Sequence, residues 1–206
     1  MISSKNSSGR IPWKLLGIEA ILVVLSVLLA LGLNKWNENR SNRELSQRAL
    51  QTMLDESAEN CSKIVEWQPY HRSVLSGETA YEGLGQVFLR NDAWASAQTA
   101  GAIHHMDYRV AAAAGTVHAL QSDHRRLVEN GILAVYITAT NQDVDLEIFK
   151  EIVKGNNQDW LRGPHPFMLA DLIRIQDELV EAYEILFERS RSAYGDAVNV
   201  SGGCQE

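Results

Sequence analysis

Six histidines are the side chains best suited to hold a metal ion, and His104, His105, Asp107, His118 and His124 crowd into one short stretch. A metal needs ligands that converge, as an i, i+4 pair does on one helix face. His118 and His124 are six positions apart, which turns them by about 240° around a helix. Adjacent His104 and His105 also diverge if helical. The stretch therefore predicts surface or half-buried histidines, with no metal and no cofactor.

General acid–base work needs two carboxylates held across a cleft. Asp177, Glu178, Glu181, Glu184 and Glu188 instead spread along one segment beside Arg174, Arg189 and Arg191, which reads as a solvated charged face. Gly83-Leu84-Gly85 has neither a preceding strand nor the third glycine of a phosphate loop. A G-x-S-x-G elbow, a Cys-His signature and an HExxH pair are all absent, so no residue is assigned a catalytic role and the chain is expected not to be an enzyme. Cys61 and Cys204 are too far apart for a CxxC motif. Cys61 falls on an apolar stripe, where it suits a small core residue. Cys204 lies in a tail long enough to reach it, so a disulfide in an oxidising compartment is the other reading.

The elements that would position these residues begin with composition. The chain has 206 residues, a formal charge of -7 and a pI near 5.4. That length suits one domain with a short appendage, and the acidic balance argues against nucleic-acid binding, which needs clustered Lys and Arg.

Leu15 to Leu33 reads LLGIEAILVVLSVLLALGL, with Glu19 its only charge. At 1.5 Å per residue this run spans a hydrocarbon core of about 30 Å. Trp13 and Trp36, beside Lys14 and Lys35, sit where interfacial anchors belong. Ala30-Leu31-Gly32 offers a signal-peptidase spacing, but the run exceeds a signal core and its helical pattern continues, so an uncleaved anchor in the lipid bilayer is expected. Basic residues flank both ends. From residue 49 onward 12 basic residues face 23 acidic ones, a net of -11. The acidic part is thus expected outside the cytoplasm and the short basic tail inside. Glu19 either contacts a partner helix or snorkels to the amino-terminal interface.

Asn34 to Trp67 lacks Pro and Gly, and Leu50, Met53, Leu54, Cys61, Ile64 and Val65 recur at helical steps, predicting one helix that Pro69 ends. Ser76 to Leu89 predicts only a weak helix. Asn91 or Asp92 is expected to cap a short helix over 93–100, and Asp107 a long one carrying Val110, Ala114, Val117, Leu120, His124, Leu127 and Val128 inward. Val135 to Thr138 continues or closes it. A turn at 141–145, a helix over 146–153 and a break at Gly163 to Pro166 follow. Met168, Leu172, Ile175, Leu179, Ala182 and Leu186 then form the seam of a last helix from about Phe167 to Tyr194.

The run Glu19 to Glu38, with its Ile/Val/Leu stretch and Asn34-Lys35-Trp36 exit, resembles a family of uncharacterised bacterial single-pass inner-membrane proteins. WASAQTAGAIHHMDYRV, Trp94 to Val110, resembles a later block of the same family. The resemblance covers about a fifth of the chain and singles out Glu19, Asn34, Trp36, Trp94, Ala97, Thr99, Gly101, Ala102, Asp107 and Tyr108. His104 and His105 stand where that block is usually apolar or small. The resemblance implies an inner-membrane anchor with a helical periplasmic domain, and no activity.

The expected architecture is all-α: one N-terminal transmembrane helix continuing into a helical bundle of about four principal helices. Its parts are a basic cytoplasmic tail over 1–12, the transmembrane helix over 13–35, a polar stalk over 36–48, the extracytoplasmic domain over 49–194 and a flexible tail over 195–206. The helix-contact and motif residues Glu19, Asn34, Trp36, Trp94, Gly101, Asp107 and Tyr108 are the expected sites. A non-enzymatic scaffold or accessory subunit is the leading reading, with a membrane or periplasmic protein partner or a homo-oligomer. A periplasmic small-ligand sensor, its cavity lined by Trp67, Tyr70, Trp94, Tyr108 and Trp160, is the alternative.

Overall fold

The computed structural model describes residues 13–79, 88–141, 165–200 and 203–204. Every regular element among them is helical: α1 (Trp13–Leu75), α2 (Asp92–Thr99), a 3-10 turn (Ala102–His105), α3 (Tyr108–Asn141), α4 (His165–Tyr194) and a closing 3-10 turn (Gly195–Ala197). The all-α class and the four principal helices agree with the sequence reading. The expected helix over 146–153, with its flanking turns, and most of the weak helix over 76–89 lie outside the described residues.

The chain divides into two compact units, Met1–Glu44 and Leu45–Glu206. In the first, the large apolar side chains from Ile18 to Leu33 are between 49% and 67% exposed. A helix apolar on all sides has no core to face, and this run is long and apolar enough to cross a membrane. Beyond it, Lys35 bonds Glu38 at 3.2 Å and Arg40 bonds Glu44 at 3.1 Å, pairs that support the helix through its polar stretch.

In the second unit, packing starts at the boundary itself. Ser46 is buried and Leu50 fully so, so residues 45–48 belong to the bundle and not to the stalk. Leu50, Met53, Leu54, Cys61 and Ile64 face the core as their spacing predicts, whereas Val65 turns outward at 42% exposure. Pro69 does not end the helix: α1 runs on to Leu75. Proline forfeits one backbone bond and crowds the preceding turn, at a cost of about 3 kcal/mol. Here Pro69 and Val65 lie on the exposed face, while His71 and Val74 beyond the proline are buried. Their packing holds the last turns in place.

Asp107 caps α3 as predicted, its Oδ1 accepting from the backbone N–H of Arg109 at 2.9 Å and of Val110 at 3.4 Å. The inward set of α3 includes Val110, Ala114, Val117 and Val128, with His124 in register. α4 packs against α3 and buries Leu172, Leu179, Tyr183, Leu186 and Phe187, each contributing roughly 2 kcal/mol by burial.

Within the segment from Gly195, expected to be a mobile tail, Val198 and Cys204 pack into the core instead. Val198 and Cys204 are 6% and 4% exposed. The carboxamide of Gln51 grips Asn199 twice, its Oε1 accepting from the backbone N–H at 2.7 Å and its Nε2 donating to the carbonyl at 2.9 Å. Cys204 is bonded to Cys61 across 143 positions, with Cα atoms 5.3 Å apart, so the second of the two cysteine readings holds. Its described residues Val198, Asn199 and Cys204 are held by partners distant in sequence, which no local period records.

Candidate functional site

The residues singled out by sequence fall into the two units. Glu19, Asn34 and Trp36 all belong to the first and are exposed, Trp36 at 62%. By helical geometry Glu19 and Asn34 lie within about 60° of each other, while Trp36 lies about 100° to the other side of Glu19. The three share a helix, not one narrow face. Ser26 donates to the Leu22 carbonyl at 2.8 Å, so its hydroxyl proton is used within the helix and not held ready for a neighbour.

Trp94, Gly101, Asp107 and Tyr108 build one corner of the second unit. Gly101 takes φ +72° between α2 and the 3-10 turn, a left-handed conformation that glycine adopts without penalty. Its N–H bonds Gln98 O at 3.0 Å, closing α2. Asp107 caps α3 and its own N–H donates to the Tyr194 hydroxyl at 2.9 Å, tying the corner to the end of α4. The half-buried Trp94 stacks on His118 with ring centroids 5.8 Å apart, over Gly115, where a Cβ would meet the indole at 3.4 Å. Tyr108 points away, 82% exposed. The block is therefore a structural corner with one outward tyrosine.

The aromatics proposed for an interior cavity form two separate ring pairs. Trp67 meets Tyr70 edge to face at 6.0 Å and Trp94 meets His118, while Trp160 lies outside the described residues. Beside Trp94 is a cavity of only about 10 Å³, bordered by Glu56, Ser57, His118 and Gln121, room for one water. His104 and His105 are exposed and His124 is 1% exposed, so these three histidines do not converge. Among the described residues no group of three or more His, Cys, Asp or Glu side chains is placed to hold a metal.

Sequence reasoning missed the buried polar framework. Glu56, 6% exposed, accepts at Oε2 from the backbone N–H of Asp92 and of Ala93, both at 3.1 Å, and so caps α2 from a different helix. The expected cap, Asn91, makes no side-chain cap bond and instead accepts from Arg125 at 2.8 Å. Asn60 grips Arg90 as Gln51 grips Asn199: its Oδ1 accepts from the backbone N–H at 2.9 Å and its Nδ2 donates to the carbonyl at 2.7 Å. Gln121 donates to the Tyr183 hydroxyl at 3.1 Å, and burial raises the Tyr183 phenol above its ordinary range against the opposing pull of its bonds to Gln121 and Asn60. The available signal was a polar residue at a core-register position, which periodicity alone reads as a break in the stripe.

An open groove of about 350 Å³ runs between α3 and α4. Its floor is Ala113, Leu120, Ala182 and Ile185, its acidic end Glu178 and Glu181, its basic end Arg189. Glu181 and Arg189 are eight positions apart, about 12 Å along the helix. Arg189 spends one N–H on the Arg109 carbonyl at 3.2 Å and keeps others to offer. The arrangement suits docking: an apolar trough with opposite charges at its ends.

The fold and this groove define a helical bundle domain carrying, among the described residues, one candidate membrane-spanning helix. Searches of protein-family models, curated proteins and solved structures find no match to the chain.

Proposed function

We propose that this chain is a non-enzymatic scaffold or accessory subunit, anchored in a bacterial inner membrane by the helix through Leu33 and acting through protein–protein contact outside the cytoplasm. The observation that carries the reading is the α3–α4 groove. Its alanine floor lets a helix backbone approach closely. Its carboxylates and arginine favour a partner helix with a basic residue opposite Glu181 and an acidic one about two turns away, opposite Arg189. The Cys61–Cys204 bond supports the compartment, since disulfides persist where the surroundings are oxidising. The acidic charge of the domain and the resemblance of Glu19–Glu38 and Trp94–Val110 to single-pass inner-membrane proteins support the same topology.

A photo-cross-linking residue at position 185, in native membranes, tests the reading. The expected product is one stoichiometric protein adduct whose cross-linked peptide carries the charges described. Glu181→Arg should abolish it, and Glu181→Arg with Arg189→Glu should not restore it unless the partner's charges are reversed too. Lipid adducts alone, or a protein adduct indifferent to Glu181→Arg, would overturn the groove as the docking site. An adduct with a second copy alone would replace the accessory subunit by a self-assembling one.

A further inference from the structure

The helix proposed as the anchor carries its polar side chains on one side. Between Ile18 and Leu33 only Glu19 and Ser26 are polar, and Asn34 and Asn37 follow at the exit. At about 100° per residue, Ser26 lies about 20° to one side of Glu19, Ala30 about 20° and Asn34 about 60° to the other, with Asn37 in line. These five and Val23 share an arc of about 80°. All of them are exposed. Trp36 is outside the arc, and so are Lys35 and Glu38, which bond each other. Ile21, Val24, Leu25, Leu28 and Leu31 fill the opposite face and are between 49% and 61% exposed.

Branched aliphatic side chains are at home in lipid, whereas a carboxyl group within the apolar run is not. Snorkelling would serve Glu19 alone; it gives no reason for Ser26, Ala30 and both asparagines to share its line. What can cover this face is limited by register, since Ser26 and Asn37 stand about 10 and 27 Å from Glu19 along the axis. A partner of another sequence would have to present polar groups at those same levels. A second copy inserted with the same topology does so by identity, because a parallel two-fold pair sets each side chain opposite its twin. A carboxyl bearing its proton and a carboxamide each both donate and accept, so Glu19, Asn34 and Asn37 can bond their twins. The Ser26 hydroxyl already donates to the Leu22 carbonyl at 2.8 Å, so at mid-helix the face offers small size in place of a bond. Ser26 and Ala30, four positions apart, have the spacing of small residues that lets two membrane helices close on each other.

We propose that the anchor helix forms a parallel pair with a second copy through the face made by Glu19, Ser26, Ala30, Asn34 and Asn37. The pairing rests on the reading of this helix as a membrane span, and it is separate from the α3–α4 groove, which belongs to the other unit.

Cysteine cross-linking of the full chain in native membranes tests it, with Cys61 and Cys204 already paired. After oxidation by copper phenanthroline, Ser26→Cys and Ala30→Cys should give covalent dimers about tenfold more abundantly than Val24→Cys and Leu28→Cys on the opposite face. With Ser26→Cys as the reporter, Glu19→Leu should lower the dimer yield about tenfold, while Glu19→Gln, which also donates and accepts, should hold it within about twofold. Equal yields on both faces, or a yield unchanged by Glu19→Leu, would overturn the pair. So would Ser26→Cys caught on a different membrane protein in place of a second copy. Alkaline carbonate extraction separates the pair from the anchor: a chain released by it has neither, whereas a chain that resists it and yields no dimer keeps its anchor and loses only the pair.

Discussion

Around Asn60 and Tyr183 the core meets polar side chains and gives them partners, whereas at His124 and Gln176 it leaves two nitrogens bare, as it also leaves Nδ1 of His118 and Oγ of Ser190. The first group spends its hydrogen bonds on backbone groups that lack a helical partner: those of Arg90, the first N–H groups of α2, and through Gln51 those of Asn199. The second joins helices that already satisfy their own backbones. Buried polarity in this molecule is stabilising where it replaces missing ladder bonds and costly where it does not.

The disulfide closes the well-satisfied end, and removing it should have the largest effect. Cys204→Ser opens a loop of 143 positions, and urea unfolding of the full chain in detergent should register a loss of about 4 to 5 kcal/mol. A loss below about 1 kcal/mol would mean that the Gln51 grip and Val198 hold the strap unaided.

The poorly satisfied layer should respond to pH. With its folded value near 4, below the unfolded value near 6.5, His124 is neutral in both states above pH 6.5 and contributes no pH dependence there. As pH falls from 6.5 to 4 the unfolded chain binds the extra proton, and stability should decline by on the order of 3 kcal/mol. Urea midpoints of wild type and His124→Gln at stepped pH measure it, and parallel curves would remove the distinction between the layers.

Asn60→Ala should cost roughly 2 kcal/mol, because two backbone groups of Arg90 lose their partners at once. Glu56→Ala should cost about 1 kcal/mol by uncapping α2, with faster hydrogen exchange confined to the N–H groups of Asp92 and Ala93. If either change proves neutral, the bonds of the satisfied region are shared with water and the contrast softens.

What could be read in the sequence was whatever depends on neighbours in the chain. The apolar run to Leu33, the Asp107 cap, the α3 register through His124 and the α4 seam are local patterns, and each is present in the fold. The miss at Pro69 came from a local rule overruled by burial of His71 and Val74 beyond it. Asn91 was a sound local cap candidate displaced by Glu56, which is 36 positions from Asp92. The groove was illegible for a related reason: Glu178, Glu181 and Arg189 look like any solvated face until α3 supplies Ala113 and Leu120 opposite them.

The sequence by itself determined the helices, their inward faces and the presence of a segment apolar enough for a membrane, because hydrophobic period and capping act within a few residues. Tertiary structure alone decided that Cys204 meets Cys61, that Glu56 caps α2, and that His71, His124 and Gln176 are buried together. Those outcomes depend on which polar groups come within about 3 Å of each other after three helices have packed. A hydrogen bond has that range, and no pattern along the chain records it.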